Sequence, residues 1–299
     1  MHIFRKLEYY VKRGDKYVGV SFSGGGQRGI AHIGVIKGFQ RDNIPISAVS
    51  GSSVGAIMAA AVAKGKDYKD LIEVVNTLNQ KDILDIRINI WSIIKGYFGL
   101  LLGNFSLENT NYWSLLKGER LTRIIKQIFG EENISNVKTP LAITAVDINT
   151  GLDTIFTNVP QAFRDFEGLV ISEIPLYLAI RASISIPLVY RGVNYQEGYF
   201  IDGGLTNNIP VFLVRKIGCK KIISVEVTKR PPFDSKPLGI IDLGSRVITV
   251  AVDNSKYSVV PDIVIRPNIP TVHLGNFNKT KELIDLGYKA YLEIRENLL

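Results

Sequence analysis

Two stretches decide the fold: Tyr17-Val18-Gly19-Val20-Ser21-Phe22-Ser23 running into Gly24-Gly25-Gly26-Gln27-Arg28-Gly29, and Ile46-Ser47-Ala48-Val49-Ser50 running into Gly51-Ser52-Ser53-Val54-Gly55. Each opens as a short apolar run of strand length and then meets a loop of small residues. Each loop feeds a helix. The first helix carries Ile30, Ile33, Val35, Ile36 and Phe39, and the second is the small-residue run Ala56 to Ala63. Further apolar runs at Leu141 to Val146 and Ile222 to Val227, with helical patterns at Leu121 to Phe129 and Pro210 to Ile217, extend the alternation. The expectation is an α/β fold with a mainly parallel sheet flanked by helices.

The chain has 299 residues, 46% of them hydrophobic and 21% charged, which suits one large domain with a sizeable core. Pro231-Pro232, with Pro237 nearby, marks a loop in this reading. Beyond it, a strand at Ile263 to Ile265 and a helix from about Thr280, with Leu283, Ile284, Tyr291, Ile294 and Leu298 on one face, are expected to pack on the same core. The single cysteine, Cys219, excludes an intrachain disulfide, and with three histidines the chain offers no zinc cluster. No cofactor is expected. The net charge of +8 favours an anionic partner. Because the lysines are dispersed and no nucleic-acid module is evident, a membrane surface is the better match. The N-terminal stretch has no uninterrupted apolar run of the signal-peptide kind, so a cytoplasmic protein, peripheral on membranes, is expected.

Gly51-Ser52-Ser53-Val54-Gly55 fits the G-x-S-x-G elbow, in which small neighbours let a serine occupy a strained strand-to-helix turn with its hydroxyl presented. Gly24 to Gly29 also satisfies G-x-G-x-x-G. A dinucleotide site, however, wants an acid closing the second strand, and here that strand closes with Ser50-Gly51. The glycine backbone is better suited to stabilising an oxyanion beside the next strand's serine. For a base to Ser53, His273 would complete a conventional triad, whereas His2 is terminal and His32 lies inside the first helix. Asp202, in Asp202-Gly203-Gly204 after an apolar run, and Asp147, at a strand end, are the competing carboxylates. Spacing does not choose between them.

The glycine loop, the Ser53 elbow, Ala182-Ser183-Ile184-Ser185-Ile186-Pro187 and Asp202-Gly203-Gly204, in that order, resemble the patatin-like phospholipase family of bacterial-type acyl hydrolases. The resemblance covers about residues 15 to 230. It implies a three-layer α/β/α fold, hydrolysis of fatty-acyl esters such as phospholipids, and a Ser-Asp dyad with no catalytic histidine. By the same resemblance, Ser53 is the nucleophile, Asp202 the base, and Gly24, Gly25 and Gly26 the oxyanion donors. Arg28 takes the place of a basic residue that is a candidate for a substrate phosphate, and Ser185 and Pro187 support the site. A lipid-binding protein with an idle site is the alternative. Residues 83–105, rich in Ile, Leu and aromatics but broken by Asp85, Arg87 and Lys95, are too interrupted to span a bilayer. They are expected to form an interfacial flap, an acyl-channel wall or a dimer contact.

Overall fold

The structure is a computed structural model that describes residues 18–78, 114–227, 250, 259–269 and 279–298. Residues 83–105, the Pro231-Pro232 loop, His2 and His273 lie outside the described residues. In chain order the strands are β1 Val18–Phe22, β2 Ile46–Gly51, β3 Ser114–Leu116, β4 Leu141–Asp147, β5 Leu152–Thr157, β6 Leu169–Ile171, β7 Leu188–Tyr190, β8 Val193–Tyr195, β9 Gly198–Asp202, β10 Lys221–Val225 and β11 Ile263–Ile265. The helices are α1 Ala31–Arg41, α2 Val54–Ala63, α3 Tyr68–Thr77, α4 Glu119–Phe129, α5 Leu176–Ser183, α6 Gly204–Asn207, α7 Val211–Lys216 and α8 Thr280–Ile294.

The central sheet runs β11-β10-β1-β2-β4-β5-β6. From β11 to β4 every pairing is parallel, and β5 then turns back antiparallel on β4. Parallel strands buried on both faces need apolar residues at every position. The sequence supplies them: Val49, Ile143, Phe156 and Ile223 face one core, while their neighbours Ala48, Ala142, Ile155 and Ile222 face the other side. Helices α1, α2, α5 and α8 cover the first face and α7 covers the second. The architecture is therefore a three-layer α/β/α sandwich, as the sequence patterning and the resemblance lead one to expect.

One detail of register positions everything that follows. Strand β5 occupies one edge of β4 along residues 142–147, so the other edge is shared by two strands. Parallel β2 pairs with its first half and ends at Gly51 opposite Ile143, while antiparallel β9 pairs with its second half and ends at Asp202 opposite Ala145. The two strands approach each other head-on, their last residues only two positions apart along β4, or roughly 7 Å. Strand β1 lies on the far side of β2 and ends in register with it, Phe22 opposite Gly51. Three loops thus open at one place.

The C-terminal helix α8 docks along α1, as its apolar face requires. Tyr291 is fully buried and meets Phe39 edge-to-face at 5.5 Å, and its hydroxyl donates to Asp42 Oδ2. Arg295 grips the same carboxylate with two donors, at 2.7 and 2.9 Å. Removing a buried aromatic costs about 3–5 kcal/mol. Tyr291→Ala is accordingly expected to lower the unfolding free energy by about that amount, in one transition shared with the sheet. Chemical denaturation followed by both fluorescence and far-UV dichroism checks this, since two separate transitions would mark α8 as an independent unit.

Candidate active site

Ser53 sits between β2 and α2 with φ 52° and ψ −128°, a left-handed backbone that a residue with a side chain adopts only when its surroundings hold it there. The glycine two residues on is needed for packing: a Cβ at position 55 would collide with the Phe22 carbonyl oxygen, because α2 starts directly over the end of β1. The elbow expected from the sequence is present. Its serine is 7% exposed, and across the meeting point of the strands it lies close enough to the carboxyl of Asp202, itself 5% exposed, to favour that group's ionised form.

Burial dominates the electrostatics of Asp202. Desolvation pushes its carboxyl up to about 7, against the weaker pull of the Gly204 amide, which donates to Oδ1 at 2.8 Å, and of Ser53. A carboxyl at that level is half ionised near neutral pH, a far better match to a serine proton than an ordinary aspartate. Asp147 is engaged elsewhere. Its Oδ1 accepts from the amides of Asn149 and Tyr199 and its Oδ2 from the Thr150 hydroxyl, so it caps its own turn. Of the two carboxylates, Asp202 is the one placed beside Ser53.

The glycine loop leaves β1 beside Ser53. A side chain at position 24 would displace the Asn208 side-chain amide and bring its Cβ within 3.2 Å of the Ser53 Cβ, so glycine keeps the loop close to the serine. Of the three glycines expected as oxyanion donors, Gly24 has its N–H engaged in the loop, donating to the Asn208 carbonyl at 3.0 Å. The amides of Gly25 and Gly26 have no acceptor among the described residues. Arg28 is half-buried on the 3₁₀ turn Gly26–Ile30, with its amide donating to the Gly25 carbonyl, and no substrate role follows from that position. His32 lies beneath the loop, fully buried, with Nε2 2.9 Å from the Ser23 carbonyl and its ring edge-to-face with Phe22. Burial holds its imidazole down to about 4, so it is neutral and props the loop.

Two anchors were not legible as such in the sequence. The Ser183 hydroxyl accepts the Ser53 amide at 2.9 Å, and the Ser185 carbonyl accepts the Asp202 amide at 3.0 Å. Among the described residues, no group of three His, Cys, Asp or Glu is placed to hold a metal ion.

The model of the patatin-like phospholipase family matches residues 20–215 of this chain. The chain belongs to that family. Among curated relatives, neuropathy target esterase sws of Drosophila melanogaster is 26% identical over 92% of the chain, and lysophospholipase NTE1 of Saccharomyces cerevisiae is 26% identical over 90% of it. The chain spans only 19% and 16% of the length of these two relatives. Among solved structures, VipD from Legionella pneumophila aligns with a TM-score of 0.49 at 15% identity, covering 94% of this chain and 67% of that one. In this patatin-like chain all four sequence landmarks converge on one point of the sheet: β1 and β2 end beside it, β9 reaches it from the opposite direction, and the turn after α5 touches both partners.

Burying Asp202 carries a stability cost with a definite sign. Its folded-state value is raised above the ordinary 3.8, so the folded protein binds the proton more tightly and stability falls as pH rises from about 4 to about 7. Asp202→Asn is therefore expected to be more stable than wild type by up to about 4 kcal/mol at pH 8, with the difference gone below pH 4. Thermal denaturation across that pH range checks it, and a variant that is less stable at pH 8 would count against a desolvated carboxyl.

Proposed function

We propose that this protein hydrolyses fatty-acyl esters of phospholipid or lysophospholipid type through a Ser53–Asp202 dyad, with the amides of Gly25 and Gly26 as the oxyanion donors. The observation that carries the reading is the meeting of β2 and β9 on one edge of β4, which buries Ser53 beside an Asp202 carboxyl raised to about 7. Family membership supports the acyl-ester class, and the likeness to the yeast lysophospholipase NTE1 supports the lysophospholipid end of it.

The chemistry balances with these groups alone. As Ser53 Oγ attacks the acyl carbonyl carbon, its proton passes to the Asp202 carboxylate and the carbonyl electrons collect on oxygen, where the glycine amides meet the charge. Collapse of the tetrahedral adduct breaks the ester bond, and the leaving alcohol takes the proton from Asp202. Water then attacks the acyl-serine, again giving its proton to Asp202, and the fatty acid departs as Ser53 regains its hydrogen. No histidine enters. His32 is bound to the loop backbone and neutral, and a role for His273 is the alternative that the experiment below separates. The surplus of cations over anions, 36 against 28, suits encounter with an anionic lipid surface. Among the described residues no helix is long and apolar enough to cross a membrane.

Ser53→Ala and Asp202→Asn are each expected to lower kcat/KM on a short-chain nitrophenyl ester by about 10⁴-fold, while His273→Asn keeps most of it. Loss of activity in the histidine variant would replace the dyad with a triad, and a wild-type protein inert on every ester tried would leave an idle lipid-binding fold. Since the base must be ionised, kcat/KM should rise with pH through an apparent value near 7. A profile flat from pH 5 to 8 would contradict Asp202 as that base.

A further inference from the structure

We propose that Ser183 is a positioning residue for this reaction: its hydroxyl holds the nucleophile elbow in the conformation that brings Ser53 onto Asp202. The inference rests on the dyad reading above. Ser183 is the last residue of α5 and is fully buried. A serine at such a place ordinarily turns its hydroxyl back onto the carbonyl one helical turn earlier. Here the oxygen instead accepts the amide of Ser53 from 130 residues away, at 2.9 Å. That amide belongs to the one residue of the elbow with a left-handed backbone, φ 52°, and its bond to Ser183 is buried, in a residue only 7% exposed. The bond therefore fixes a backbone that would otherwise relax toward an ordinary helix entry.

The same turn fixes the other partner. Two residues on, the Ser185 carbonyl accepts the Asp202 amide at 3.0 Å, so residues 183–185 set the separation of nucleophile and base from a single short piece of chain. That piece is itself braced. Arg181, 3% exposed, donates Nη1 to the Ser185 hydroxyl, Nε to the Thr122 hydroxyl on α4 and Nη2 to the carbonyls of Lys117 and Arg191. The two serines of the Ala-Ser-x-Ser-x-Pro segment thus have separate duties, a side chain for Ser53 and a backbone for Asp202.

The test uses steady-state turnover of a short-chain nitrophenyl ester and the rate of covalent labelling by an alkyl fluorophosphonate, which reports attack by Ser53 without a full cycle. Ser183→Ala is expected to lower kcat and the labelling rate together by about 10- to 100-fold with KM within about twofold. Ser183→Thr, which keeps the acceptor, should recover both rates to within about threefold of wild type. Ser183→Cys, close in volume but a poor acceptor, should resemble the alanine variant and guards against a loss caused by a cavity. An alanine variant that labels and turns over at the wild-type rate overturns the proposal, and so does a threonine variant no better than alanine. Ser53→Ala keeps the two readings apart: if it still turns over ester, the dyad itself has failed, whereas an inert Ser53→Ala beside a fully active Ser183→Ala removes only the role of Ser183.

Discussion

The site depends on one shared edge. Because β5 occupies one side of β4, strands β2 and β9 must divide the other, and their opposite directions bring Gly51 and Asp202 to within two register positions of each other. A helix crossover delivers the serine in the direction of the parallel strands, while an antiparallel hairpin delivers the aspartate against it. Reversal of either strand would carry its loop to the far end of the sheet. The closeness of Ser53 to the Asp202 carboxyl is the local consequence of that topology.

What surrounds the pair keeps it from relaxing. Ser53 is held by its amide on Ser183, Asp202 by its amide on Ser185, and Gly24 by its amide on the carbonyl of Asn208, in the turn that follows Asp202. His32 adds a prop under Ser23, the residue at which the glycine loop begins, and the Ser23 hydroxyl accepts the Val227 amide from the end of β10. Each loop end is thus tied to a different element, and each tie satisfies a polar group that burial would otherwise leave without a partner. Loops carry the chemistry, and the ties give them the rigidity of the strands they leave.

The same burial sets the chemistry and its cost. A carboxyl in water is too acidic to take a serine proton readily, and desolvation lifts Asp202 to about 7, which suits it to the proposed role of base. The free energy that favours the neutral acid in the fold is withdrawn from stability whenever the carboxylate forms. Tight docking elsewhere, such as Tyr291 and Arg295 against Asp42, adds stability at a distance from the reacting groups.

Much of this was readable from local sequence. The Val18–Phe22 and Ile46–Gly51 strands, the glycine-serine elbow and the apolar face of Thr280–Ile294 follow from patterns spanning a few residues, because strand burial, turn sterics and helix periodicity are short-range effects. So does the exclusion of a dinucleotide site, which needs an acid where Ser50 and Gly51 stand. The hairpins that carry β8 and β9 were less visible, since short strands with mixed exposure give weak alternation. Tertiary structure alone set Asp202 beside Ser53 and Asp147 in its own turn, bound the Gly24 amide to Asn208 and turned the Ser183 hydroxyl toward the Ser53 amide. Those outcomes depend on which residues far apart in the chain share an edge of β4 and how much water they exclude, and neither pairing partners nor desolvation is written in any local stretch of residues.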